Sequence, residues 1–74
     1  MVNSIWLHRP SVDGGIDYVC FRNGQGSVEI LEGYHLPPQM PLIKTRISLG
    51  ISQAQQRRDH LEQCLGYRHG PAVF

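Results

Sequence analysis

"SLGISQAQQRRDHL", Ser48 to Leu61, is the stretch on which the fold turns. It resembles the turn and recognition helix of a bacterial helix-turn-helix DNA reader. That arrangement needs a first helix over roughly Pro38 to Leu49. The residues there are "PQMPLIKTRISL". Pro41 would fall inside that helix, and Ile43, Thr45 and Ile47 recur with period 2 where a helix needs 3.6. No other segment offers a helix to pack behind the second one. The stretch is therefore expected to join a strand to a scaffold helix. Ser52 is the expected N-cap, with Gln55 at the capping-box position, so losing the Ser52 hydroxyl should cost about 1 kcal/mol. The helix is expected to run to about Leu65, with Gly66 as its stop. Its apolar stripe is narrow: Ala54, Leu61 and Leu65, with Cys64 alongside. Such a helix buries one thin seam against a sheet.

Working toward the N-terminus, "LIKTRISL" alternates. Leu42, Lys44, Arg46 and Ser48 should point one way and Ile43, Thr45, Ile47 and Leu49 the other. "GYHLPPQMP" carries Pro37, Pro38 and Pro41. Three missing donors exclude a central strand or helix, so the whole segment is expected to be a loop. "IDYVCFR", Ile16 to Arg22, and "SVEILE" flank "NGQG", and Asn-Gly is the strongest short hairpin signal. Ile16, Tyr18 and Cys20 should share one face, with Val19 and Phe21 on the other. "SIWLH", Ser4 to His8, is a short β-prone run stopped by Pro10, and "SVDGG" is a turn. The last three residues of "YRHGPAVF" are apolar and are expected to dock or to pair somewhere.

Size and composition narrow the function. The chain has 74 residues, which is one domain, 1–74. A chain this short buries only about 60% of the surface it exposes when unfolded, so a deep substrate cleft is not expected. Seven Lys+Arg against six Asp+Glu give a formal net charge of +1. That balance does not announce nucleic acid or a membrane surface, so any basic patch must be local. The two cysteines, Cys20 and Cys64, are too few for a disulfide framework and do not form a CxxC knuckle. No apolar run approaches the ~20 residues of a membrane span, and "MVNSIWLHRP" does not resemble a signal peptide. The expected compartment is the cytoplasm, with both thiols reduced.

Three sets of residues are candidates for chemistry. His60 and Cys64 are neighbours at i, i+4 and could clamp zinc, but the remaining ligands have no recognised spacing, so no metal or other cofactor is expected. Cys64 has His60 beside it, yet lies near a helix C-terminus, where the dipole disfavours a thiolate. Cys20 sits mid-strand, where burial would keep it protonated. No catalytic residue is therefore assigned. Lys44, Arg46, Arg57 and Arg58 form the one basic concentration. They are candidates for partner or nucleic-acid contact, or for a solvated face balanced by Asp59 and Glu62.

The C-terminal half, "PLIKTRISLGISQAQQRRDHLEQCLGYRHGPAVF", resembles the end of a family of very short cyanobacterial proteins of unknown function. The matching pieces are Trp6, "LPPQMP", "LIKTR", the single helix, Gly66-Tyr67 and the "PAVF" end. The resemblance implies strands followed by one helix and implies no activity. The expected fold is α+β: three or four antiparallel strands with one C-terminal helix packed across a face. The leading expectation for function is a non-enzymatic protein-interaction module or small regulatory adaptor, through a protein partner or self-association. The alternative is a nucleic-acid-binding regulator. A free strand edge would favour the first, and one contiguous surface of Lys44, Arg46, Arg57 and Arg58 the second.

Overall fold

The computed structural model describes residues 4–73. Five strands and one helix follow in order: β1 (Ser4–Pro10), β2 (Ile16–Asn23), β3 (Val28–His35), β4 (Leu42–Leu49), α1 (Ile51–Cys64) and β5 (Arg68–His69). They form one antiparallel sheet in the order β4-β3-β2-β1-β5, so the fold is α+β. The first four strands are a meander, each paired with its neighbour in sequence. The chain then crosses the sheet as α1 and returns beside β1. The short β5 had no expectation behind it, because two residues carry no periodicity.

Residues 42–49, where a DNA reader needs its first helix, form β4, and α1 is the single helix among the described residues. Ser52 does not cap α1. Gly50 is the N-cap, with φ −63° and ψ 160°, and no side chain caps the helix. The cause lies in β4. Leu49 is still paired with Val28, and the Gly50 carbonyl already accepts the first helical bond from Ala54 N–H at 2.9 Å. One residue turns strand into helix, so Ser52 falls inside the first turn. At the far end Leu65 is the C-cap, and Gly66 takes φ +76°. That left-handed residue turns the chain so that Tyr67 N–H reaches the Leu61 carbonyl at 3.1 Å. Of the expected stripe only Ala54 and Leu61 are buried, and Leu65 is 40% exposed.

The sheet has apolar groups on both faces. Under α1 lie Leu7, Val19, Phe21, Val28 and Ile30, with Ile5, Leu49 and Tyr67 at the margin. On the far face Trp6, Tyr18, Cys20 and Leu31 form a second cluster, and Val73 packs on it. The expected alternation of β2 is therefore observed, and the expected docking of the tail is seen at Val73. Phe74 lies outside the described residues. Pro71 accepts a hydrogen bond from the His8 ring at 2.6 Å and Gly70 N–H donates to the Trp6 carbonyl at 3.1 Å, which fixes the tail over this face.

The segment expected to be all loop is not. Gly33, Tyr34 and His35 continue β3 in the middle of the sheet, and the loop begins at Leu36. The prolines act only from Pro37 onward. Gly33 belongs to the strand for a steric reason: a Cβ there would collide with the Leu42 carbonyl oxygen and the Tyr18 ring. Tyr18 lies across this bare backbone and donates its hydroxyl to Leu42 O at 2.7 Å.

The same place carries a β-bulge. Register shifts between Glu32 and Gly33: Glu32 faces Thr45, while Gly33 faces Ile43. Lys44 is the extra residue. A bulge puts two consecutive residues on one side. The expected faces of β4 therefore hold only for Thr45 to Leu49. Before the bulge they invert, so that Ile43 pairs with Gly33 on the far face and Leu42 pairs with Tyr34 on the helix face.

Candidate functional site

β4 is the outer strand of the sheet. Its whole length is exposed except Leu49, which is half-buried. Leu42, Ile43 and Ile47 are 60%, 45% and 38% exposed. On one side β4 pairs with β3 over its length; on the other, among the described residues, nothing pairs with it. The opposite edge is treated differently, because β5 pairs with Leu7 and His8 of β1. One edge of the sheet is thus covered at Leu7 and His8 by the chain's own tail, and the other is left open along its whole length.

The bulge separates the two basic residues of this edge. Arg46 pairs with Leu31, in the row Trp6, Cys20, Leu31, Arg46 that crosses the far face. Lys44 lies toward the helix face, with its Nζ 5.5 Å from the centre of the Tyr34 ring. It lines a shallow cavity of about 260 Å³ together with Arg9, Asp17, Glu32 and Tyr67. There Arg9 bonds Asp17 at 3.2 Å, donates to the Leu65 carbonyl at 3.1 Å, and stacks 4.7 Å above Tyr67. Burial pushes the Tyr67 hydroxyl pKa up. The cavity holds both signs of charge, with Arg9 already joined to Asp17.

The helix arginines are also engaged. Arg57 donates Nε to Glu32 at 3.1 Å, and its Nη2 reaches the same carboxylate. Arg58 donates to Glu62 at 3.2 Å, and the His69 ring reaches that carboxylate at 3.1 Å. Arg58 lines an open apolar cleft of about 240 Å³ between the start of α1 and Ile5, Phe21 and Val28. Lys44, Arg46, Arg57 and Arg58 are thus not gathered on one surface. Lys44 lines the cavity, Arg57 is bonded to Glu32 of its lining, Arg46 is on the far face, and Arg58 is at the cleft. Lys44, Arg46 and Arg68 are the cations without a carboxylate at ion-pair distance among the described residues.

The thiols occupy different environments. Cys20 is buried, and that burial pushes its pKa up, away from the thiolate. Cys64 is exposed on α1. Among the described residues, no group of three or more His, Cys, Asp or Glu side chains is placed to hold a metal ion. No described helix is long and apolar enough to cross a membrane. A separate polar latch ties the β1–β2 turn to β3. Tyr34 donates its hydroxyl to Asp13 at 2.5 Å, and Asp13 also accepts Gly15 N–H at 3.1 Å.

Sequence reasoning found the basic members of the edge and missed the apolar ones. Leu42, Ile43 and Ile47 have the alternation of any half-buried strand. Which strand of a meander is left outermost depends on long-range pairing, and no local pattern encodes it. The bulge at Lys44 had one signal, Gly33 within a β-prone run, since an isolated strand glycine often marks a bulge or a close backbone approach. No protein-family model, curated protein or solved structure matches the chain.

Proposed function

We propose that the chain is a non-enzymatic protein-interaction module that binds an extended segment along the outer edge of β4. One observation carries the reading: an eight-residue strand, open along its outer side, with Leu42, Ile43 and Ile47 exposed beside its unpaired backbone groups. Such an edge is a template for strand addition. Main-chain hydrogen bonds supply affinity, and alternate side chains supply selectivity. Lys44, Arg46 and the bulge also blunt indiscriminate pairing, which is the ordinary protection of a free edge. Protection alone does not account for three large apolar side chains exposed along the same strand. The nucleic-acid alternative loses its main support, because Arg57 and Arg58 are held by Glu32 and Glu62 and Arg46 lies on the other face. Display of random short peptides against the whole protein, followed by amide mapping of the selected binders, tests the reading. Binders should shift β4 resonances and slow exchange of its outward-facing amides. Binders that map elsewhere, or no enrichment, would overturn it.

A further inference from the structure

We infer that the segment accepted by β4 comes from a different protein and carries adjacent carboxylates, flanked on each side by an apolar residue. The inference rests on the strand-addition reading and specifies its partner. Two of the three cations lacking a carboxylate at ion-pair distance, among the described residues, are on β4. The bulge sends Arg46 to the far face and Lys44 to the helix face. Successive residues of an added strand point to opposite faces. A carboxylate across from Arg46 and its chain neighbour near Lys44 would therefore each meet one cation. The residues beyond this pair on either side come opposite Ile47 and Ile43, which are 38% and 45% exposed. Opposite charges facing across a strand pair are favourable, and like charges are not.

The same charges disfavour a second copy of this chain. An antiparallel copy aligned about Arg46 sets two guanidinium groups directly opposite each other. Alignment about Ile47 puts Arg46 opposite Ser48 and leaves its charge uncompensated. The bulge also breaks the flat, even edge that a long uniform strand would need.

The probes are three strand-forming peptides of valine and threonine, with a valine on each side of two central positions, and they differ only at those two positions. One has Asp-Glu there, one Ser-Thr and one Lys-Lys. Binding to the whole protein is measured by fluorescence anisotropy, with β4 amide shifts as the site readout. The acidic peptide should bind roughly fivefold tighter than the neutral one, and the basic peptide weaker still. That preference should shrink as salt rises. Arg46→Glu should reverse the order of the acidic and basic peptides. Lys44→Glu should reduce the acidic preference without abolishing binding, and it supplies a second test should Arg46→Glu not fold, as judged by circular dichroism. Equal affinity for all three peptides, still mapping to β4, would overturn the acidic partner and leave strand addition standing. Sedimentation showing a dimer closed through β4 would replace the foreign segment with a second copy. Failure of all three peptides to touch β4 would overturn both readings.

Discussion

At the scale of single residues, Gly33 and Tyr34 do most to shape the open edge. Gly33 leaves the space through which Tyr18 reaches the Leu42 carbonyl, so a methyl there must displace either the ring or the backbone of β4. Gly33→Ala is expected to destabilise the fold by about 1–3 kcal/mol, the range for overpacking. Urea denaturation checks this, and an unchanged midpoint would mean the bulge tolerates a side chain. Tyr34 and Asp13 shift each other. The Tyr34 hydroxyl holds Asp13 below its ordinary 3.8, and the Asp13 carboxylate pushes Tyr34 up to about 12. Because the folded carboxyl pKa is lowered, the Asp13 contribution to stability is present above 3.8 and is lost as pH falls through its folded value. Because the folded phenol pKa is raised, the Tyr34 contribution is complete below 10 and is lost as pH rises toward about 12. Tyr34→Phe should return the Asp13 titration toward 3.8 in a carboxyl-detected NMR experiment. An Asp13 titration identical in both proteins would show that the latch does not form in solution.

At the scale of elements, α1 shows where local chemistry misleads. Ser52-x-x-Gln55 has the composition of a capping box, but β4 pairing runs on to Leu49 and leaves only Gly50 for the turn. Ser52→Ala should therefore change stability by less than about 0.5 kcal/mol, as expected for a surface change away from a cap. Gly50→Asp should stabilise by a few tenths to about 1 kcal/mol. Its extended backbone suits an aspartate, a Cβ there meets nothing closer than the Gln53 side chain at 3.9 Å, and the first turn of α1 has no acidic residue. Thermal melts of both variants check the pair, and a lower melting temperature for Ser52→Ala would restore the capping box. The four long strands were legible because β-branched and aromatic residues alternate between clear turn signals. The end of β3 was not, because Gly33 and the prolines of the following loop look alike as strand breakers. The proline ring removes a donor, whereas glycine in a strand only removes a side chain.

At the scale of the whole molecule, both faces of one thin sheet are covered, by unequal means. The helix covers one with Ala54 and Leu61; on the other, the tail lays Val73 against Trp6, Tyr18, Cys20 and Leu31. Val73→Ser should cost about 1 kcal/mol, a partial share of a buried valine side chain, and should red-shift the emission of Trp6, the only tryptophan. Equal emission maxima in the two proteins would show that the tail does not lie on this face. The sheet, its hairpins and the single helix could be foreseen from the chain. Which strand ends outermost, and on which face Lys44 emerges, could not, because the first follows from long-range pairing, including the return of residues 68–69 to β1, and the second from the bulge.

That return has a consequence for synthesis. The strands of the meander pair with sequence neighbours and can form as each emerges, since local contacts close quickly. β1 is made long before the residues that cover its outer edge: among the described residues these are Arg68, His69 and Gly70, and the His8 bond to Pro71 spans 63 positions. At about 5–20 residues per second, roughly 3–13 s of translation separates the two partners. Throughout that interval a nascent chain carries two raw strand edges instead of one, with Trp6 beside the second. The greatest exposure to misassembly falls within that interval, and the arrival of residues 68–71 at β1 ends it.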